Sequence, residues 1–404
     1  MEYKGFAMLT QKEREIAQKM IELKNSSGSH SPSIFTIAKE IPQIRIDIDA
    51  CFLSNPYATN LFMDYLQGEL IDSKELRKTL EFYPSQNAVI AEHLAQILDI
   101  DSRCIFVSNG AIEAIQAILH NFVQDKIIVN IPTFSSYYEF VTPQTKVIYY
   151  ELPKENDYRL SVESYIDFVK KHKPQSVIII NPNNPNGDYL PLDSMREILQ
   201  NLSFVENVII DESFLHFAYE DSSFMPISYI SLFKEYHNVI LLKSMSKDFG
   251  IAGVRAGYAI INQAKVAELL KNGYLWNSNG LSEFFFKIYA RQEFREKYEI
   301  VRKDYIAQTQ DFFANLSKIK DIKVYPSKAN FALLELINDT TSSDFVIKML
   351  LRYGIYTRTC NDKIGLNGEF VRLASRTKSE NETIINAIKD LFGGKDEQEN
   401  FGNF

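Results

Sequence analysis

A chain of 404 residues is long for one core and suggests about two domains. Its 45% apolar and 24% charged residues are those of a globular protein, which excludes a disordered or fibrous chain. A net charge of −8 and a pI near 5.5 argue against a basic nucleic-acid surface, so no nucleic-acid partner is expected.

From the start of the chain, MEYKGFAMLTQKEREIAQK lacks the apolar core of a signal peptide. No run of about 18 apolar residues follows anywhere, so a cytoplasmic chain without a membrane partner is expected. Residues 10–24 suit an amphipathic helix, and NSSGSHSPS (25–33) breaks it. Further on, short apolar runs end in polar or turn residues: KIIVNIP (126–132), KVIYYELP (146–153), QSVIIINPNNPNG (175–187), ENVIIDES (206–213) and NVILLKS (238–244). Unbroken apolar strands are buried on both faces, as in a mostly parallel sheet flanked by helices. Helical patterns at 111–122, 160–172 and 191–203 lie between or beside them.

The expected organisation is an N-terminal segment 1–83 joined to a smaller domain and a large α/β domain over 84–275. A small α+β domain follows over 276–392, with a long helical stretch at 282–316, and a solvated, disordered tail over 393–404. Cys51, Cys104 and Cys360 are odd in number and form no Cys-x-x-Cys pair, so no disulfide framework and no metal site is expected.

In an open parallel sheet, ligands sit beyond the carboxyl ends of the strands. Asn184, Asp211 and Lys247 each follow such a strand. Taken singly, each has an ordinary reading: a turn asparagine, a helix-capping aspartate and a solvated lysine. Together, a lysine amine, a carboxylate and nearby hydroxyls match pyridoxal phosphate, whose ring works as an electron sink when its nitrogen stays protonated. VSNGAIEAIQAIL (107–119) reads as strand end, glycine turn and helix start, a phosphate-binding arrangement; Ser244, Ser246 and Arg255 can complete it.

SNGAIEAI, IPTFSSY, NPNNPNG, DESF and SMSK followed by GVRAGY resemble, in combination and over about residues 30–390, the class I/II aminotransferase family of fold-type I pyridoxal-phosphate enzymes. The resemblance implies Lys247 as the Schiff-base lysine, Asp211 as partner of the ring nitrogen, Asn184 as donor to the ring oxygen and Phe134 as the stacked aromatic. It implies phosphate contacts from Gly110, Ala111, Ile112, Ser244, Ser246 and Arg255. Tyr83, in FYPSQNA, would reach the neighbouring subunit's cofactor in a homodimer. Arg372 would grip a substrate anion.

Within the family, KANF, CNDKIGL, DESFLHF and His30 in GSHSPS resemble the branch of threonine-phosphate decarboxylase and histidinol-phosphate aminotransferase. Arg358 and Arg372 would then face two anionic ends of one substrate, with His30, Asn55 and Asn330 as further contacts. Two departures stand out: Phe214 replaces a tyrosine that many relatives use as a ring-oxygen donor, and Leu53 replaces an asparagine of the decarboxylases. The expected activity is decarboxylation of a small phosphorylated amino acid of the serine or threonine phosphate type. The alternatives are an aminotransferase for a small phosphorylated substrate, or a binding protein on a degenerate enzyme fold.

Overall fold

The computed structural model describes residues 10–393; the tail expected at 393–404 lies, beyond Gly393, outside the described residues. The chain forms two compact units. The larger holds Ser54–Ala307 and Pro326–Asn330; the smaller holds the residues up to Leu53, Gln308–Tyr325 and those from Phe331 onward.

A seven-stranded sheet organises the larger unit. Its order is Ile105–Asn109, Ala256–Ile260, Val239–Ser244, Asn207–Asp211, Ser176–Ile180, Lys126–Ile131, Lys146–Glu151. All strands run parallel except Ala256–Ile260, which is antiparallel to both neighbours. Val208, Ile209, Ile210, Val239, Ile240, Leu241 and Leu242 are all buried, as strands covered on both faces require. Helix Ala111–Phe122 covers part of one face with Ala114, Ile115 and Ile118, in one cluster with Ile178, Ile209 and Ile240.

Residues 54–83 and 276–307 belong to this larger unit, whereas the sequence pattern assigned them to the N-terminal segment and the small domain. The contacts explain it. Asn55 caps helix Pro56–Leu66 by accepting from the N–H groups of Tyr57 and Ala58, and a proline opens the helix. One turn on, the Thr59 hydroxyl donates to the Gly250 carbonyl at 2.8 Å. The long helical stretch expected over 282–316 consists of two helices, Gly280–Tyr289 and Gln292–Leu316. Both pack on Phe249, whose ring lies 5.1 Å from Phe285 and Tyr289 and 4.1 Å from Tyr298.

The smaller unit pairs Arg358–Thr359, Phe370–Ala374, Phe331–Leu336 and Ile322–Val324 in an antiparallel sheet, with Ile48–Asp49 parallel to Ile355–Tyr356. Helices Ser342–Tyr353 and Lys378–Gly393 contribute Phe345, Met349, Ile384 and Ile388 to its core. Among the described residues no helix is long and apolar enough to cross a membrane.

Phe249→Ala removes a fully buried ring from the aromatic cluster and is expected to destabilise the large unit by about 3–5 kcal/mol. Chemical denaturation checks this; an unchanged midpoint contradicts the packing role.

Candidate active site

Register brings the strand ends together. Ser108 and Ser244 both pair with Gly257 of the reversed strand, and Asn109 pairs with Ala256. Two parallel strands therefore end beside the start of the antiparallel one. Gly257 makes this fit possible: a Cβ there would lie 2.7 Å from the Ala111 nitrogen and the Gly110 carbonyl carbon. Gly110 has φ +75, and a Cβ on it would lie 2.9 Å from Cζ of Arg255. The Arg255 guanidinium is held by the Ala252 carbonyl at 3.1 Å and the Asn109 carbonyl at 3.5 Å. Ser244 is buried, and its oxygen accepts from the Ser246 N–H at 3.3 Å. Among the described residues the buried Ser246 hydroxyl has no hydrogen-bond partner.

The first N–H groups of a helix have no intrahelical acceptor. Ala111 and Ile112 stand at that position, next to Gly110 with the Arg255 guanidinium over it, and these are donors that a phosphate monoester needs.

Asp211 ends the strand Asn207–Asp211 and is buried. The Tyr137 hydroxyl donates to its Oδ2 at 2.7 Å, and the Ser213 N–H donates to Oδ1 at 2.8 Å. Burial raises its affinity for a proton; these donors and Lys243 partly reverse that. The site thus favours a cation arriving at Asp211. Tyr137 escaped the sequence reading, since SSYY offers two tyrosines with nothing to choose between them. Phe214, the departure noted above, is buried.

The loops bearing Phe134 and Asn184 are joined through Asn183. Its side chain accepts from the Thr133 hydroxyl at 2.8 Å and donates to the Pro132 carbonyl at 3.0 Å. Asn184 is buried, and the Phe134 ring lies edge-on to Tyr137 at 6.4 Å.

Lys247 is partly exposed, three residues beyond the end of strand Val239–Ser244. Its carbonyl accepts from the Asn55 N–H at 3.0 Å, so Asn55 joins this group. Beneath it lies a network that sequence reasoning missed. Lys243 is 2% exposed and donates to the Glu212 carbonyl at 3.0 Å; its ammonium meets Asp248 Oδ2 at 2.5 Å. His216 Nδ1 lies 3.2 Å from the same oxygen. Burial pushes Asp248 up to about 6 and Glu212 up to about 7, while burial with Lys243 and Arg302 holds His216 well below its usual range.

Asn330 is buried and donates to the Tyr305 hydroxyl at 3.3 Å. Tyr83 stands apart from the sheet-edge group: it is 89% exposed and stacks on Trp276 at 6.1 Å.

In the smaller unit Arg358 and Arg372 sit opposite each other in register, both buried. Arg358 donates to the Ser31 hydroxyl at 2.6 Å, the Ser29 carbonyl at 2.9 Å and Asp362 Oδ2 at 2.8 Å. That brings the loop of His30, itself exposed, to Arg358. Arg372 donates to the Cys51 carbonyl at 2.8 Å and lies 5.5 Å from the Phe331 ring centre. Burial and Arg358 lower its pKa to about 10.

Comparison with known proteins decides the family. The model of aminotransferase class I and II matches residues 66–388. This chain belongs to that family. An L-serine phosphate decarboxylase of Campylobacter jejuni is 59% identical over 380 residues, 94% of this chain and 97% of that protein. An L-serine phosphate decarboxylase of Sulfurospirillum multivorans is 46% identical over 369 residues, 91% and 94% respectively. A solved structure of a decarboxylase from Sulfurospirillum multivorans superposes with a TM-score of 0.91 at 44% identity, covering 96% of this chain and 98% of that one.

The family and fold expected from the motifs are thus those found, a fold-type I pyridoxal-phosphate enzyme with a mostly parallel central sheet. Its cofactor is pyridoxal 5'-phosphate, and this chain's residues fit it. The orphaned Ser246 hydroxyl and the Gly110–Arg255 cradle suit the phosphate, and buried Asp211 suits a protonated ring nitrogen.

Gly257→Val should expel the cofactor, because the new side chain would displace the start of helix Ala111–Phe122. Cofactor absorbance after gel filtration measures this; stoichiometric retention contradicts it.

Proposed function

We propose that this chain is a pyridoxal-phosphate-dependent decarboxylase that converts a small O-phospho-L-amino acid, serine phosphate or its threonine analogue, to carbon dioxide and the amino-alcohol phosphate. The observation that carries the reading is 59% identity across nearly the whole chain to an L-serine phosphate decarboxylase. The facing buried arginines Arg358 and Arg372 support it, since a phosphorylated amino acid has two anionic ends.

Bound at this edge, the cofactor supplies an electron sink for the pair left on the substrate α-carbon. In this reading Lys247 binds the cofactor through its amine, and Asp211, oriented by Tyr137 and Ser213, holds the proton on the ring nitrogen. Gly110, Ala111, Ile112, Ser244, Ser246 and Arg255 bind the phosphate. Asn184 donates to the ring oxygen, and Phe134 lies against the ring face.

Arg358 and Arg372, with His30, Asn55 and Asn330, fix the substrate by its ends. That fixes which bond at the α-carbon stands perpendicular to the ring and breaks. For decarboxylation this is the bond to the carboxylate carbon, and the Lys247 amine then delivers a proton to the α-carbon. Tyr83, 89% exposed beside exposed Trp276, suits a subunit contact in a homodimer, where it would reach the neighbouring cofactor. The enzyme would act in the cytoplasm.

Incubation with O-phosphoserine should release carbon dioxide and O-phosphoethanolamine. Lys247→Ala should lower turnover at least about a thousandfold and abolish borohydride trapping of the cofactor on the chain. Wild-type protein that instead transfers the amino group to an oxo acid, without carbon dioxide release, would establish the aminotransferase alternative. Lys247→Ala retaining wild-type turnover would overturn the whole assignment.

A further inference from the structure

The cations near Arg358 are not balanced by the acids near them. Lys363 is buried, with 2% of its side chain exposed, yet its nearest carboxylate oxygen, Asp362 Oδ2, is 3.8 Å away. That is beyond hydrogen-bond length. Arg358 already donates to the same oxygen at 2.8 Å. Lys24 lies 3.8 Å from the other oxygen, Asp362 Oδ1, and donates to the Gly28 and His30 carbonyls at 2.9 and 3.0 Å. Three cations thus share one carboxylate. The neighbouring thiols do not help: burial pushes Cys51 and Cys360 up, so both stay neutral.

Two positive charges therefore remain around Asp362, with Arg358 and Lys363 buried and Lys24 at the more exposed side. Isolated buried charge is costly, and burial with Arg358 already lowers Lys363 to about 8. A ligand bearing two negative charges would relieve this. A phosphate monoester carries close to two at neutral pH; a carboxylate carries one. Across the strand pair, Arg372 stands opposite Arg358 and donates to the Cys51 carbonyl at 2.8 Å.

We infer that Lys363, with Lys24 and Arg358 around Asp362, is the pole of the substrate site that takes the phosphate. This rests on the reading of the substrate as a phosphorylated amino acid. Lys363 is a specificity-determining cation. It lets the site discriminate a phosphorylated amino acid from its free hydroxyl or carboxylate analogues, which lack the second charge. Asp362 is a positioning residue: it holds the three cations together when no ligand separates them.

The test is binding of inorganic phosphate to the holoenzyme, whose cofactor fills the other phosphate-binding cup, by titration calorimetry. Lys363→Met should weaken phosphate binding about 10- to 100-fold, the effect of losing one charge-assisted hydrogen bond. Lys363→Arg should recover most of it. With O-phosphoserine, Lys363→Met should raise KM more than it lowers kcat.

If Lys363→Met fails to fold, Lys24→Gln, at the more exposed side of the cluster, should weaken phosphate binding several-fold. Phosphate affinity equal to wild type in folded Lys363→Met, or in Lys24→Gln should that be the only folded variant, overturns the inference. Lys363-dependent phosphate binding by an enzyme that releases no carbon dioxide from O-phosphoserine would sustain the inference and sink the decarboxylase reading. Decarboxylation with unchanged phosphate affinity in Lys363→Met would do the reverse.

Discussion

The candidate site depends on one close approach, the backbone of Gly257 against Gly110 and Ala111. No side chain separates the start of the reversed strand from the start of helix Ala111–Phe122. Strand ends at Asn109 and Ser244 can therefore flank it in register. Arg255, immediately before that strand, takes a left-handed conformation with φ 60 and turns its guanidinium over Gly110. A helix dipole and a guanidinium converge on one point because backbone touches backbone there.

The two units carry opposite electrostatic demands. In the larger, two neighbouring strand ends contribute buried acids, Asp211 and Glu212 after one and Asp248 after the other, against Lys243 and Arg302. Burial favours their protonated forms, so a cation at Asp211 stabilises what the fold alone leaves costly. In the smaller unit the surplus is positive, concentrated at Arg358, Arg372 and Lys363. Each cluster of buried charge is expensive in isolation and is relieved by a group of the opposite sign. This is how strain of an electrostatic kind becomes binding specificity.

Much of this was legible in sequence, for a physical reason. Parallel strands buried on both faces must be continuously apolar, so VIII, VIID and VILLK declared themselves along with the polar residues at their ends. Lys247, Asp211 and Arg255 were recognisable because their order along the chain matches a known family. Ala256–Ile260 was not read as a strand: it is short, begins AlaGly and runs backwards, and its identity lies in pairing with two other strands. Residues 54–83 and 276–307 were assigned elsewhere because their attachment runs through Gly250 and Phe249, a contact no local pattern reveals. Lys363 was passed over because a lysine beside Gly365 in a polar loop reads as solvated, and its burial is wholly tertiary.

The network beneath the lysine loop also bears on a matter of chemical choice. An aldehyde reaching this sheet edge meets two lysines four residues apart. The Lys243 side chain is sealed from water and clamped between Asp248 and a carbonyl, which keeps its nitrogen out of reach. Lys247 is the more accessible amine. The buried ion pair therefore works as a protecting group built from the chain itself, which withholds Lys243 from a carbonyl compound.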